Sequence, residues 1–281
     1  MREMTADVGA LQQALQQAGL DVFLAQPSQI DVQMSASNLA FTLDGKDLRP
    51  DLVFGWSSLH QRERGKWLLS VFELAGVPVL NAPSALEPGQ NKFLGSALLV
   101  SHGFAHISTW VVGAAERLPT AAQALGWPLV FKPIYGAKGE GVQLLHDAQS
   151  LAAACAPFFE RNLPVYLQQY IRKPGRDIRV RVIDYVADFA FYRYATAGEF
   201  VTNLSLGGAF KPAPLNDELR LLAERCARAF QAQVAGIDIC EDEDGNYRVI
   251  EVNMTPAFTW PHMQSVDKVV QMILRRLAEQ A

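Results

Sequence analysis

The sequence lacks the features that would indicate a disulfide-rich, zinc-binding or membrane protein. Its 281 residues include only three cysteines, which are widely spaced and form no C-x-x-C pair. Neither a disulfide framework nor a cysteine-based zinc site is therefore indicated. No run of about 18 apolar residues is present, so no membrane span is expected. The N-terminus has no apolar signal core, and we expect a cytoplasmic protein.

Charge of one sign is not in large excess, and common catalytic signatures are missing. The chain has 25 Lys and Arg residues against 29 Asp and Glu residues, a formal net charge of −4. This balance gives no electrostatic reason to expect a nucleic-acid partner. Neither a G-x-G-x-x-G fingerprint nor a G-x-S-x-G elbow is found, so a Rossmann dinucleotide site and a serine hydrolase are not indicated. A hydrophobic content of 49% is typical of a globular enzyme with a substantial core.

The most informative stretch is G-I-D-I-C-E-D-E-D-G-N-Y-R-V-I-E-V-N, residues 236–253. Two apolar, β-prone runs flank an acidic turn, which predicts a β-hairpin. Glu251 and Asn253 lie two residues apart and so share a face, and the partner strand brings Asp238 beside them. Three oxygen ligands on one face suit Mg²⁺. The alternative is an exposed sheet face that holds no metal.

The first part of the chain alternates between predicted strands and helices. Helical spacing predicts helices over residues 8–18 and 62–75, and apolar runs predict strands over residues 20–25, 39–43, 52–56 and 77–80. Residues 81–89 are expected to form a loop. This alternation indicates a small parallel α/β layer that ends near residue 84.

A lysine-bearing strand enters a glycine-rich hairpin over residues 128–145. Lys132 lies in the apolar run L-V-F-K, and Gly136, Gly139 and Gly141 follow before a second strand. Glycines allow a backbone to approach phosphates closely, and an unpaired buried ammonium is costly. The pattern therefore favours phosphate binding over a plain flexible hairpin.

The remaining elements complete an ordered pattern. Lys92 begins a predicted helix; Q-Q-Y-I, residues 168–171, ends a strand; and D-I-R-V-R-V-I, residues 177–183, alternates charged with apolar residues. A strand carrying Arg193 and an N-L-S-L-G-G loop with Asn203 precede the acidic hairpin. In this order the features resemble the ATP-grasp ligases, and among them the RimK-type ligases, which attach α-amino acids such as glutamate. The resemblance covers roughly residues 91–278.

The resemblance implies an α+β fold, with two subdomains that grip ATP between antiparallel sheets. A small α/β pre-ATP-grasp domain, residues 1–84, would precede the ATP-grasp domain, residues 85–281. Within the latter, residues 85–165 would form the central lid subdomain and residues 166–281 the C-terminal subdomain with the metal hairpin.

The resemblance also implies roles for individual residues. Arg179 and Arg193 would face the γ-phosphate and the acyl phosphate as catalytic residues. Asp238, Glu251 and Asn253 would bind two Mg²⁺ ions, with Mn²⁺ as a substitute and Glu251 as the bridge. The nucleotide-binding set would be Lys92, Lys132, Gly136, Lys138, Gly139, Gly141, Gln168, Gln169, Tyr170, Ile171, Asp177 and Asn203.

Two departures from the family pattern stand out. Gln169 occupies a hinge position that is usually acidic, so a carboxylate contact to the adenine amino group or the ribose would be lost. The N-terminal M-R-E-M-T-A-D gives no convincing strand before the first helix. The first sheet is therefore expected to be one strand short.

We hypothesise an ADP-forming carboxylate–amine ligase that joins an amino acid, with glutamate favoured, to a carboxylate-bearing acceptor through an acyl phosphate. Positioning and charge neutralisation do most of the work in phosphoryl transfer, which explains a site of cations and carboxylates. One alternative is a catalytically silent nucleotide-binding regulatory protein on the same fold. Another keeps the chemistry but changes the acceptor to a lysine or arginine biosynthetic carrier or a pterin-type cofactor. A homo-oligomer is expected from the family.

Overall fold

The chain folds into helices that pack on antiparallel sheets. The structure, a computed structural model, describes residues 2–56, 62–136, 139–195, 209–259 and 264–280. The described helices are α1 (Arg2–Gln17), α2 (Arg62–Leu74), α3 (Pro83–Gln90), α4 (Lys92–Ser101), α5 (Leu118–Leu125), α6 (Ala148–Phe159), α7 (Asp217–Ala229) and α8 (Gln264–Ala278). The described strands are β1 (Ile30–Ser35), β2 (Asn38–Leu43), β3 (Lys46–Leu48), β4 (Val53–Phe54), β5 (Val79–Leu80), β6 (Thr109–Val112), β7 (Leu129–Lys132), β8 (Gln143–Leu145), β9 (Val165–Gln169), β10 (Arg176–Ile183), β11 (Val186–Tyr194), β12 (Phe210–Pro212), β13 (Val234–Glu241) and β14 (Tyr247–Asn253). None of the described helices is both long and apolar enough to cross a membrane.

Most of the predicted site residues lie on or beside the strands of two antiparallel sheets. The larger has the strand order β12-β11-β10-β13-β14, and the smaller has the order β6-β9-β7-β8. The N-terminal region adds the antiparallel meander β1-β2-β3 and the parallel pair β4-β5. These sheets and the helices packed on them form the α+β architecture that the sequence predicted.

The main core lies between the five-stranded sheet and helix α7. Ile178, Val180 and Val182 of β10 point into it, as the alternation of that strand predicted. Leu219 and Cys226 of α7 are fully buried against them. A second core fills the space between the four-stranded sheet and α5 and α6, and a third joins α1 to α8.

Two buried polar side chains fasten the N-terminal region to the elements around the site. Asn81 donates from Nδ2 to the carbonyl of Val234 at 2.7 Å and accepts from the Val234 N–H at 2.8 Å. The Oδ1 of Asp7 accepts from the N–H of Phe258 at 3.1 Å and from the N–H and hydroxyl of Thr259 at 2.8 and 2.6 Å. Both side chains are 2% exposed. The N-terminal region is thus bonded to the segments immediately before and after the acidic hairpin.

Several predictions for the first 90 residues were wrong. Residues 20–25 form no strand, and among the described residues no strand pairs with them. The meander β1-β2-β3 was only partly foreseen, because the exposed strand β1 carries little apolar pattern. Residues 81–89 contain most of helix α3 instead of a loop, since burial of Ala85 and Leu86 in the main core outweighs the unfavourable Pro88. Residues 2–7 belong to α1, which begins at Arg2, and form no strand, as predicted.

Candidate functional site

The acidic stretch forms the predicted hairpin. Asp238 lies directly opposite Glu251 in the antiparallel ladder of β13 and β14, and Gly236 lies opposite Asn253. Opposed residues project from the same face, so the two carboxylates and the amide share one face of the sheet. Asp242 closes the turn by accepting from the backbone N–H of Asp244 and Asn246.

Asp238 is buried against two arginines, one from the neighbouring strand β10 and one from β11 beyond it. Arg179 of β10 is its cross-strand neighbour and binds it through Nε–Oδ1 and Nη2–Oδ2 contacts, both of 2.6 Å. Arg193 of β11 adds an Nη2–Oδ2 contact of 2.9 Å. Burial alone would raise the pKa of Asp238, but the charges and hydrogen bonds of the two arginines outweigh burial and hold the pKa below its usual range. Asp238 is therefore a carboxylate at neutral pH.

Arg193 links this pair to Asp177. Its Nε lies 2.7 Å from Asp177 Oδ1, and Lys173 Nζ lies 3.8 Å from Asp177 Oδ2. Burial would lower the pKa of Arg193, yet the charges of Asp238 and Asp177 raise it further above its ordinary value. Asp177, predicted to contact the ribose, is thus engaged by Arg193 and is 4% exposed.

Glu251 is the accessible acid of the set. Its side chain is 41% exposed, against 3% for Asp238, and its Oε2 lies 3.9 Å from Lys92 Nζ. Asn253 Oδ1 accepts from the backbone N–H of Thr255 at 3.0 Å.

These oxygen donors fit a hard cation. Within the described residues no group of three or more His, Cys, Asp or Glu side chains is placed to hold a metal ion. A cation here would be bound by only two carboxylates, those of Glu251 and Asp238, and by the Asn253 amide. Water and phosphate oxygens would complete its coordination shell, as is usual for Mg²⁺. Asp238 would have to share its oxygens between the ion and Arg179.

Two lysines lie close to the acidic hairpin and line the same cavity. Lys92 begins α4, where the Asn91 side chain caps the helix by accepting from the N–H of Phe93 and Leu94. Lys92 Nζ donates to the carbonyl of Gly136 at 3.0 Å. Lys132 of β7 donates to Gln168 Oε1 at 2.7 Å. Burial lowers the pKa of Lys132 to about 8, although the negative charge of Glu251 acts against it.

The glycine hairpin joins β7 to β8 beside these lysines. Gly139 and Gly141 have φ of 75° and 71°, a region that favours glycine. A Cβ on Gly141 would also lie 2.8 Å from Cγ of Pro133. The predicted Lys138 lies outside the described residues, as does Asn203.

The predicted adenine hinge consists of the last two residues of β9 and the two residues after it. Gln168 is 2% exposed, and its side chain is turned toward Lys132. Gln169 is exposed, and its N–H donates to the carbonyl of Ser108 at 2.9 Å. Tyr170 and Ile171 are partly buried.

Most of the predicted residues line one cavity of about 2390 Å³. Those on its wall are Lys92, Lys132, Gly136, Gly139, Gln168, Gln169, Tyr170, Ile171, Asp177, Arg179, Arg193, Asp238, Glu251 and Asn253. Gly141 is not part of the wall. The cavity is larger than the typical small-ligand pocket of roughly 300–1,000 Å³, because it continues under the N-terminal region.

Sequence reasoning missed a cation that contacts one of the predicted residues. Lys173 lines the cavity and adds a cation beside Asp177. Its signal was the basic turn R-K-P-G-R at residues 172–176, which the sequence analysis did not connect with the site.

The cysteines are not equipped to act as nucleophiles. Burial raises the pKa of the Cys155 thiol to about 11 and that of Cys226 to about 12. Cys240 lines the cavity, but burial raises the pKa of its thiol as well. Since the thiolate is the reactive form, the cavity offers charge and positioning in place of a thiol nucleophile.

The chain is similar to known proteins over most of its length. Residues 89–276 match the family model described as a RimK-like ATP-grasp domain. A tetrahydromethanopterin:alpha-L-glutamate ligase from Methanosarcina acetivorans is 33% identical over 217 residues, which cover 68% of this chain and 67% of that protein. A probable alpha-L-glutamate ligase from Ectopseudomonas mendocina is 31% identical over 216 residues, covering 76% and 71%.

Solved structures show the same fold. The ATP-grasp ligase PsnB complexed with a minimal precursor superposes with a TM-score of 0.72 at 22% identity, covering 96% of this chain and 95% of that one. A RimK domain ATP-grasp protein from Sphaerobacter thermophilus superposes with a TM-score of 0.68 at 18% identity, covering 95% of each chain. With a family model that spans most of the chain and relatives above 30% identity, this protein belongs to the RimK-like ATP-grasp family.

Proposed function

We propose that the protein is an ATP- and Mg²⁺-dependent ligase that joins the amine of an α-amino acid to a carboxylate and releases ADP and phosphate. The observation that carries this proposal is the convergence of two lysines, two arginines, two carboxylates and an amide on one cavity wall. Such a wall neutralises and orients a triphosphate without a protein nucleophile. The acceptor carboxylate would attack the γ-phosphate, and the amine would then displace phosphate from the acyl phosphate.

The two lysines are proposed to hold the ATP phosphates. Lys92 of α4 and Lys132 of β7 both line the cavity, and Lys92 Nζ lies 3.9 Å from Glu251 Oε2. Arg179 and Arg193 are proposed to stabilise the charge that develops during transfer to and from the acyl group. Both arginines are prepositioned by Asp238, so their guanidinium groups need little reorganisation when a phosphate arrives.

Glu251, Asn253 and Asp238 are the proposed Mg²⁺ ligands. Glu251 would bridge two ions because its carboxylate is the exposed one. When bound, Mg²⁺ neutralises phosphate charge and orients the transferred group. Mn²⁺, which also accepts oxygen ligands, is proposed as a substitute.

Glutamate is the proposed amino acid, supported by the names of the relatives, which are glutamate ligases. The acceptor is proposed to be a small molecule, such as a pterin-type cofactor, or a protein. A homo-oligomer stays a prediction, and so does the division into residues 1–84 and 85–281. Helix α3 spans the predicted boundary.

The test measures ADP release with ATP and Mg²⁺ against a panel of amino acids and carboxylate acceptors, with mass spectrometry of the products. Glutamate-dependent ADP together with a product heavier by one glutamyl unit would support the ligase. Nucleotide binding without turnover of any pair would favour the catalytically silent alternative.

A pair of variants assigns the activity to the site. Glu251→Ala is expected to lower ADP formation by at least about 100-fold, because even the outer-shell partners of metal ligands contribute up to about 100-fold. Glu243→Ala, on the exposed turn of the same hairpin, is the matched control and should retain full activity. Normal Mg²⁺-dependent turnover in Glu251→Ala would refute the metal assignment.

A further inference from the structure

The side-chain amide of Gln168 is hydrogen-bonded at both its oxygen and its nitrogen. Its Oε1 accepts from Lys132 Nζ at 2.7 Å. Its Nε2 donates to Thr109 Oγ1 at 3.0 Å and to Tyr166 Oη at 3.1 Å. Gln168 is 2% exposed, and all three of these partners are protein side chains.

The neighbours of the amide fix its orientation. Thr109 already donates its hydroxyl hydrogen to the carbonyl of Ile107 at 2.7 Å, so toward Gln168 it acts as an acceptor. A rotated amide would also place its NH₂ group against the Lys132 ammonium, which has only donors. The oxygen of Gln168 is therefore directed at Lys132.

The sheet register explains why the two side chains meet. Val130 of β7 pairs with Gln168 of β9, and Lys132 pairs with Tyr166. Lys132 and Gln168 are thus diagonal neighbours on one face, a distance that long side chains span.

The contacts continue to the helix that carries the other lysine. Tyr166 Oη lies 2.8 Å from Ser96 Oγ, and both residues are buried. Ser96 is four residues after Lys92 on α4, so the two project from the same side of that helix. A continuous set of hydrogen bonds therefore joins Lys132 to the helix that begins with Lys92.

We propose that Gln168 is a positioning residue that holds the Lys132 ammonium toward the phosphate site through its own side-chain amide, braced by Tyr166 and Thr109. This inference rests on the proposed function, because it takes Lys132 as a phosphate ligand. It also differs from the role expected from the sequence, which placed Gln168 among the adenine contacts.

A neutral acceptor suits this task better than a carboxylate. An ion pair would fix the lysine but cancel its charge, whereas an amide oxygen fixes the lysine and leaves its full positive charge for a phosphate. Burial has already removed much of the water around the ammonium of Lys132. Without the Gln168 oxygen, the charge would lack a compensating hydrogen bond, which is costly.

The experiment is a double-mutant cycle on the affinity of a non-hydrolysable ATP analogue with Mg²⁺, measured by calorimetry on the full chain. Gln168→Leu is expected to weaken binding about tenfold, the effect of losing a hydrogen bond to a charged group. Lys132→Met should weaken binding more strongly, and the double variant should bind no worse than Lys132→Met alone. Gln149→Leu, on the exposed first turn of α6, is the control and should bind like the wild type.

Two outcomes would overturn the proposal. Losses that multiply in the double variant would show that Gln168 acts independently of Lys132. If Gln168→Leu weakened binding of the adenine analogue but not of the matching hypoxanthine analogue, Gln168 would be shown to contact the base.

A second variant keeps the test decisive if Gln168→Leu fails to fold. Tyr166→Phe removes one brace of the amide without touching Lys132, and we expect binding about threefold weaker, with no further loss in the Lys132→Met background. An additional loss in that background would count against the proposal. Nucleotide binding does not require the carboxylate substrate, so the cycle can be measured even if the wild type shows no ligase turnover. Absence of turnover would refute the proposed function alone.

Discussion

Replacing Asp238 by asparagine should destabilise the fold as well as abolish ligase activity. The carboxylate is 3% exposed and contacts two arginines whose side chains are 19% and 8% exposed. Removing one partner of a buried ion pair costs roughly 3–5 kcal/mol, because the remaining charges are left uncompensated. The asparagine oxygen still accepts one hydrogen bond, so we expect a loss of about 3 kcal/mol. For a chain of this size that corresponds to a fall in Tm of roughly 6–12 °C.

The pH dependence gives the same prediction an independent signature. The pKa of Asp238 is lower in the folded protein than in the unfolded chain. The unfolded state therefore binds the proton first as pH falls, and the stabilisation by this carboxylate is present above its unfolded pKa, about 3.9. It is lost as pH falls through the lower, folded pKa. The variant should thus show a flatter decline in stability than the wild type in acid.

The assay is thermal and urea unfolding followed by circular dichroism, between neutral pH and about pH 3, the acid range in which carboxylates titrate. Asp244→Asn removes a carboxylate from the exposed turn of the same hairpin. This variant should change the free energy of unfolding by no more than about 0.5 kcal/mol. Adding Arg179→Met to Asp238→Asn should restore part of the lost stability, because it removes one unpaired charge. An Asp238→Asn protein as stable as the wild type, or a double variant less stable than the single one, would refute the reasoning.

Three further predictions concern other parts of the molecule. The affinity for ATP should fall as pH rises through about 8, where Lys132 loses its proton, and the fall should be absent in Lys132→Met when titrated by calorimetry. Gly95→Ala should cost about 3 kcal/mol in urea unfolding, because its Cβ would lie 2.5 Å from a backbone carbonyl of α3, whereas Gly113→Ala, with open space around it, should cost under about 1 kcal/mol. Asp7→Ala should lower the free energy of unfolding by about 2–4 kcal/mol, since it leaves the N–H groups of Phe258 and Thr259 unpaired. The control Asp21→Ala, at an exposed position, should have little effect, and equal Tm values for the two variants would contradict the assignment.

The elements nearest the site were the ones that the sequence predicted well. The acidic hairpin, the glycine hairpin and the alternating strand β10 carry strong local patterns, since each combines apolar periodicity with turn residues. The pairing of Asp238 with Glu251 followed from the two-residue period of a strand. Local pattern and final structure agree there because one face of each strand is buried.

Features that depend on distant parts of the chain could not be predicted. The contacts of the Gln168 side chain depend on Lys132 and Thr109, which are far away in sequence. Helix α3 forms because its apolar residues meet a core contributed by other elements. The extended run at residues 20–25 has strand-forming residues but lacks a paired strand among the described residues, and side-chain propensity alone does not supply one.

The bonds made by Asn81 and Asp7 tie the N-terminal region of this chain to both ends of the acidic hairpin. Asn81 supplies both a donor and an acceptor to the first residue of β13, in the way that a neighbouring strand would. Asp7 holds the chain just beyond β14. An N-terminal region exchanged with that of a relative would have to bring equivalent groups at both positions, or the hairpin between them would lose its two anchors. Any exchange of the N-terminal region is therefore coupled to the stability of the acidic hairpin, and the two should be selected together.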